Sequence, residues 1–503
     1  MKTTLTLLTV LLLGPLVALH AADTSKPPAA TNPATGKPGF PVPAGPLPNR
    51  ASIYGTAEAT KPGTRTDGAV IVRPGPQLFV DDFLIESSEN LTRRVQQPVR
   101  DAGIPNPLVT GAEDRCFQPF FSVLRHPESG QFRIWYGAWR DDKVMHASRL
   151  GYLEGDDGIH WKRPARILDD PAPIQFGSEV LDEGPGFSDA ANRYKYGWWH
   201  GGGLRVAGSP DGMHFKPIAP DVVFAHDHDI TGIWRDPLRR RYVVTASSYR
   251  ELPQFKGTRR TTLQAFSDDL VHWSPAAVVL AADDRFDEGK TEFYAMSGFL
   301  ARGGLVVGLV KVLHDDWKAE GAPKGAYGMG HTSLAWTRDG EHWVRDREVF
   351  FGPDTKPGSW DHAHAWIDEQ LPLGDDVHLY YAGYQWGHKH NRFEERQIGL
   401  VKMRRDRYVA REAGAEKGIL RTPPLRLEGT ALTVNASITG EIRIRLLDDS
   451  SKPLPGFDWV SLRGDQLDHA VPFQQPLASL DGRPVRIEFQ MQHARLFSFD
   501  LKP

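Results

Sequence analysis

The chain has one cysteine, Cys116, among 503 residues, so no disulfide can form within it. The fold must therefore rest on its own apolar core, which a chain of this length can build. An excess of one charge is missing too. Sixty Lys and Arg stand against 63 Asp and Glu, a formal net charge of −3, which leaves no electrostatic footprint for nucleic acid or an anionic membrane surface. Nowhere does a helical pattern persist over three turns. Long apolar runs are scarce: the clearest, Leu5 to Leu19, follows Met1-Lys2 and precedes the small residues Ala21 and Ala22. It is too short and too close to the start to favour a membrane span, and it reads as a signal peptide over residues 1–22. No Cys follows it, so no lipid anchor is expected, and the mature protein is expected in the periplasm or the medium.

What the chain does have is glycine, proline and aromatic residues: 49 Gly, 39 Pro, 14 Trp, 13 Tyr and 24 Phe. Such a composition suits many turns, much sheet and, among ligands, carbohydrate. Residues 23–50 are rich in Pro, Ala, Thr and Gly and read as a linker without a packed core.

The most telling pattern is a repeated phrase. Asp157-Gly158-Ile159-His160-Trp161 returns as Asp211-Gly212-Met213-His214-Phe215, as Asp269-Leu270-Val271-His272-Trp273 and as Asp339-Gly340-Glu341-His342-Trp343. The starts lie 54, 58 and 70 residues apart, a spacing expected of propellers and solenoids. An Asp-Gly turn before an aromatic strand start is a hairpin signal, and recurrence on four of five units makes the phrase part of a structural template; the fifth unit ends with Ile398–Val401 and Arg405–Val409 instead. Five aromatic or apolar middle strands accompany it: Phe132–Tyr136, Arg193–Tyr196, Arg241–Val244, Leu305–Leu309 and Val377–Tyr381. They predict an all-β fold, a five-bladed β-propeller over residues 77–413, with Leu78–Ile85 available to close the ring. From 418 to 503 the texture becomes strict alternation, as in Glu441–Leu446, Val485–Phe489 and Leu496–Phe499, predicting a small β-sandwich.

Aligned on the middle strands, each blade offers at least one carboxylate near the start of its innermost strand. The first offers Asp114, Arg115 and Gln118, and the second Glu179, Asp182 and Glu183. The third offers His226-Asp227-His228-Asp229, the fourth Lys290 to Tyr294 including Glu292, and the fifth Trp360-Asp361-His362-Ala363-His364. Carboxylates converging on one axis push each other's pKa values apart, which acid–base chemistry exploits. Such a propeller resembles those of glycoside hydrolases, which implies glycoside hydrolysis; that reaction needs an acid for the leaving oxygen and a second carboxylate as base or nucleophile. Glu292 is the first choice for the acid, with Asp229 and Asp114 as base or nucleophile and transition-state stabiliser. Glu179 and Asp361 are read as sugar-hydroxyl ligands or as replacements in those roles. Trp360, Tyr294, His228 and His362 could stack on or hydrogen-bond a sugar, and Arg115 adds a cation.

Other patterns are weaker. His226 to Asp229 with His362 and His364 could form a metal site, but alternate strand residues point to opposite faces and split the set. No organic cofactor is called for, and a structural divalent cation in the well is left open. Trp234-Arg235-Asp236-Pro237 is similar to the R-D-P motif of invertases, yet it falls at the turn before a middle strand, where Asp-Pro commonly starts turns.

A five-bladed propeller with a C-terminal β-sandwich resembles the invertase, levansucrase and arabinanase superfamily of glycoside hydrolases, the family 32 and 43 type. The stretch from Gly358-Ser359-Trp360-Asp361 through Ile398-Gly399-Leu400 and Arg405–Val409 to Leu432–Asn435 is similar to exported bacterial proteins related to the family 32 N-terminal domain. The resemblance implies hydrolysis by acidic residues at the mouth of the well. The N-D-P-N-G and E-C sequences of invertases are absent, so local arguments must assign the acids. Phosphorolysis, with Arg115, Lys290 and the histidines as a phosphate pocket, is the alternative chemistry. A non-catalytic glycan-binding module and a scaffold propeller are the alternative classes.

Overall fold

The structure, a computed structural model, describes residues 46–56, 68–111, 116–139, 148–163, 176–391 and 394–503. The fold is all-β and propeller-like, with two single-turn 3-10 segments among the described residues, at Ala190–Asn192 and Leu477–Leu480. From 116 to 404 the strands form successive antiparallel meanders, and every middle strand expected from the aromatic pattern is the second strand of one. The first comprises Cys116–Arg125, Phe132–Trp139 and Ser148–Gly155. Phe176–Asp182, Tyr194–Trp199 and Gly203–Ser209 make the next. Thr231–Asp236, Arg241–Arg250, Arg259–Ser267 and Ala277–Leu280 follow. The fourth is Thr291–Arg302, Leu305–His314, Met329–Thr337 and Trp343–Phe351. The last, His364–Leu373, Asp376–Tyr384 and Gln397–Arg404, is joined to the fourth in one sheet by a single parallel bridge, Gly330 to His364.

The first strand of each meander adjoins the first strand of the next, and His364–Leu373 returns to Cys116–Arg125, so these strands ring a common axis. Each meander has neighbours on both faces, which explains near-continuous burial where a one-sided sheet would alternate. Leu305–His314 is buried at every position. The apolar clusters lie between meanders: Trp135 and Tyr152 pack with Tyr194 and Tyr196, and Phe121 and Tyr136 with Trp366 and Tyr380.

The repeated phrase builds the turn after the third strand of the first four meanders, at the end of the ring away from the first strands' starts. In each copy the Asp Oδ1 accepts two backbone N–H groups, and Oδ2 meets the histidine Nδ1 at 2.7 Å. The second residue has positive φ in all four, including Leu270 at 68°. The turn also latches one meander to another: Trp135 Nε1 donates to Gly212 O at 2.8 Å, and Tyr380 Oη to Gly158 O at 2.8 Å.

Ring closure departs from expectation. Leu78–Ile85 adds no strand to the ring; Gly75–Leu78 pairs with the C-terminal strand Arg486–Lys502, Phe79 and Leu84 enter the core of that region, and Leu78 and Val80 pack against the fourth and fifth meanders. The segment that lies against the last meander is 99–109, through bridges Val99–Lys402 and Val109–Ile398. The end of the expected linker also docks: Leu47 packs into the ring core, and Ala51–Ile53 pairs with Trp343–Arg345.

The C-terminal sheet gains strands from before the ring, Ser87–Glu89 against Ile419–Arg421 and Thr92–Val95 against Val409–Glu412. The stretches around Phe489 and Phe499, expected as separate strands, are one strand, Arg486–Lys502, paired along its length with Ala431–Leu447. That hairpin is bent. Ten residues of straight strand span roughly 33 Å, yet Phe489 and Phe499 lie 5.9 and 5.8 Å from the same ring, Phe79. Register shifts at Ile438–Glu441 and the positive φ of His493 mark the bend, as β-bulges do.

Candidate active site

First strands start, second strands end and third strands begin at one end of the ring. There, Arg260 of the third meander is the hub. Its guanidinium is ion-paired with Glu292 of the fourth meander, donates from Nε to His228 Nε2 at 3.1 Å, and lies 5.1 and 5.4 Å from the ring centres of Tyr249 and Tyr294. That donor fixes His228 as acceptor at Nε2 and leaves its proton on Nδ1, which has no partner among the described residues. Burial first, then the Arg260 charge, hold His228 well below the usual histidine range, so the ring is neutral. Asp229 stands beside it, Oδ1 3.2 Å from His228 Nε2, with its side chain 28 % exposed.

Tyr249 reports how the acids gather. Its phenol is pushed up to about 12, chiefly by burial, with Arg260 opposing and Glu292, Asp229 and Asp315 each adding. Three carboxylates thus bear on one phenol at the mouth. Tyr294 floors the site: it is parallel to Trp366 at 4.8 Å and edge-on to His228 at 6.1 Å and to His388 at 4.8 Å.

The connection after Asp376–Tyr384 brings His388, Lys389 and Glu395 to the same end. Lys389 acts electrostatically on His228, and Arg260 on His388. Glu395 is buried, accepts Trp386 N–H at 3.3 Å and has His390 Nε2 at 3.5 Å. Burial raises its carboxyl to about 7; Glu394 adds to this and the Trp386 N–H opposes it. A carboxyl titrating near neutrality is what a general acid at ordinary pH requires.

Deeper on the axis lies a narrow cavity walled by Phe121, Glu179, Gly232, Ser247, Ser297 and Asp368. Lys311, fully buried, is ion-paired with Asp368, and Phe121 N donates to Asp368 Oδ2 at 2.9 Å. One ammonium faces three acids here. Burial first, then the charge of the neighbouring carboxylates, raises Glu179 and Glu369 well above the usual range.

The structure therefore brings together Glu292, Asp229, His228 and Tyr294 at the mouth and places Glu179 deeper on the same axis. Three other expected residues take no part. The Trp360 ring lies across Gly383 and Gly399, where an added Cβ would come within 2.3 and 2.7 Å of it. The Asp361 carboxylate is held by Arg100 at 2.8 Å and Tyr381 Oη at 3.0 Å, tying the closing segment to the last meander. His362 sits between the carbonyls of Asp354 and Glu320 at 2.7 and 3.2 Å. Asp114 and Arg115 lie outside the described residues. Asp236 of the R-D-P sequence is buried in its turn, accepting Leu238 N–H at 3.0 Å and pairing with Arg239 at 2.9 Å. Among the described residues no three His, Cys, Asp or Glu side chains converge as a metal shell. His226 faces Ser247 O at 3.3 Å, and the His364 ring packs 4.5 Å from Trp366. Arg260, Tyr249, Asp315 and Glu395 were not foreseen. They sit where second strands end or third strands begin, and the same rule of strand ends would have found them.

No family model matches the chain, and no curated protein matches it. Among solved structures it is similar to a glycoside hydrolase at 11 % identity, covering 63 % of this chain and 92 % of that one with a TM-score of 0.42. It is similar to a glycosyl hydrolase from Bacteroides ovatus at 18 % identity, covering 61 % and 94 %, TM-score 0.43. It is similar, too, to a structure from the GH130 family of mannoside phosphorylases, which contains glycoside hydrolases that target β-1,2 mannosidic linkages in Candida mannan. That match has 17 % identity, coverage of 61 % and 94 %, and a TM-score of 0.42.

Proposed function

We propose that the protein is an exported glycan-active enzyme, a five-bladed β-propeller that cleaves glycosidic bonds by carboxylate chemistry at the mouth of its ring. The observation that carries this reading is the gathering of Asp229, Glu292 and Asp315 on Tyr249 and Arg260, at the end of the ring that also bears Glu395. The fourth and fifth blades share one sheet through the Gly330–His364 bridge, and the bent C-terminal sheet serves as the accessory sandwich. Residues 1–22 direct export.

In this reading Asp229, the carboxylate with access to solvent, serves as base or nucleophile. Glu395 keeps its proton near neutral pH and gives it to the leaving oxygen. Glu292, clamped by Arg260, fixes that guanidinium and through it the His228 ring beside Asp229. Asp114 and Arg115 keep the roles read from the sequence. Phosphorolysis is the second reading, favoured by Lys389 and Arg396, whose charges both bear on His388. The test is product release by the mature protein from a broad set of polysaccharides and oligosaccharides, with and without inorganic phosphate. Release independent of phosphate supports hydrolysis, release that requires phosphate supports phosphorolysis, and no release counts against both.

A further inference from the structure

A second pocket opens at the same end of the ring, off the axis, on the face of the fourth meander turned toward the third. It encloses about 270 Å³ between Phe286, Phe293, Val312, His331, Arg345 and Trp317, just under the lower end of the range of small-molecule sites and enough for one ring. Its rim is a column of rings. Trp317 is 38 % exposed, and His314 lies parallel to it at 3.8 Å and 8°. His331 continues the column inward at 5.3 Å from His314. The middle ring is held by Thr291, whose hydroxyl is 3.2 Å from His314 Nδ1. The stack leaves Trp317 partly open to solvent at the rim, an amphipathic ring with an apolar face and one N–H donor.

Polar groups in the pocket are poised without protein partners. Neither ring nitrogen of His331 makes a hydrogen bond among the described residues. Burial lowers this ring to about 3, so it is neutral and offers one donor and one acceptor. Arg345, 3 % exposed, is fixed by its ion pair with Asp287 and by the Phe293 ring 4.8 Å away, yet its buried Nε has no partner. Of the other charged groups in the lining, Asp346 pairs with Arg93 at 2.6 Å, Arg347 donates to Phe286 O at 3.0 Å, and the acids Asp287, Glu288 and Asp346 offset the cations Arg345 and Arg347. A pocket of balanced charge with an aromatic shelf and paired donor–acceptor groups fits a neutral ring carrying several hydroxyls; an anion would meet the carboxylates of Asp287 and Glu288.

We infer that this pocket is a second glycan subsite, which holds a neutral pyranose unit of the substrate on Trp317 with its hydroxyls toward His331 and Arg345. The inference rests on the proposal that the substrate is a glycan, and it names the part of the substrate held away from the reacting bond.

The experiment measures binding of manno-, xylo-, gluco- and galacto-tetrasaccharides by calorimetry to the mature chain carrying Asp229→Asn, with and without Trp317→Ala, and turnover by the same chains with Asp229 intact. Thermal melting checks that each variant is folded, and Trp317→Phe serves as the conservative control. At least one series is expected to bind, with affinity falling roughly tenfold or more on Trp317→Ala and partly restored by Trp317→Phe. Equal affinity in the Trp317→Ala chain, or no binding of any series, overturns the subsite. If the wild type cleaves nothing but binding depends on Trp317, the catalytic reading falls and the subsite stands. If it cleaves and Trp317→Ala leaves both binding and KM unchanged, the subsite falls and the catalytic reading stands.

Discussion

Arg260 and Glu292 form a buried ion pair across the seam between the third and fourth meanders, 6 % and 1 % exposed respectively. Removing one partner strands the other's charge away from water. Arg260→Met is therefore expected to destabilise the fold by about 3–5 kcal/mol, and the double change with Glu292→Gln to recover much of that loss. Denaturant unfolding of the three variants checks it; a double variant no more stable than Arg260→Met would show that the pair is not the cause.

The axial acids set a pH dependence. Glu179 and Glu369 are raised in the fold, by burial first and by their neighbouring carboxylates second. The folded chain then holds protons that the unfolded chain releases above about pH 4.3. Their stabilising contribution is full below that value and is lost as pH rises toward the folded-state values. Glu369→Gln, which keeps the shape without the ionisation, is expected to flatten the decline in urea midpoint as pH rises above the ordinary carboxyl range. Parallel pH curves for wild type and variant would contradict the buried, protonated state.

Glu395 should govern the alkaline side of activity. Its carboxyl, raised to about 7, must carry its proton to act as the acid, so kcat/KM is expected to fall above that pH. Glu395→Gln should cost about 10²–10⁴-fold with aryl-free substrates and remove that limb from the residual profile. An unchanged alkaline limb in the variant would move the proton donor elsewhere.

The Asp-x-x-His turns lie at the opposite end and should matter to stability alone. Asp339 Oδ1 accepts the Glu341 and His342 N–H groups, each at 2.8 Å, and Asp339 Oδ2 meets His342 Nδ1 at 2.7 Å. Asp339→Ala is expected to lower unfolding free energy by about 1–3 kcal/mol while leaving kcat intact. A loss of kcat at full stability would assign these turns a role in the reaction.

The ring was legible because its signals are local. A Gly or Leu270 with positive φ, an Asp that caps its own turn and an aromatic second strand all repeat in the sequence at the spacing of the meanders. The closure was not legible, because Leu78–Ile85 and 99–109 carry no pattern that distinguishes the ring edge from the C-terminal sheet; only the register with Lys402 and Ser498 does so. At the mouth, Asp229 and Glu292 were found because both stand at first-strand starts. Arg260 lies 32 residues from both His228 and Glu292, and no spacing rule joins it to either. Asp361 illustrates the converse: it stands at the expected station, but Arg100, from a distant segment, claims its carboxylate.

The most direct test of the account compares sugar release by wild type and by Asp229→Asn, both verified as folded, on any glycan the wild type cleaves. The account predicts release by wild type and a loss of at least about 10²-fold in the variant. Equal release by the two proteins would place the chemistry outside the mouth described here and contradict the central claim.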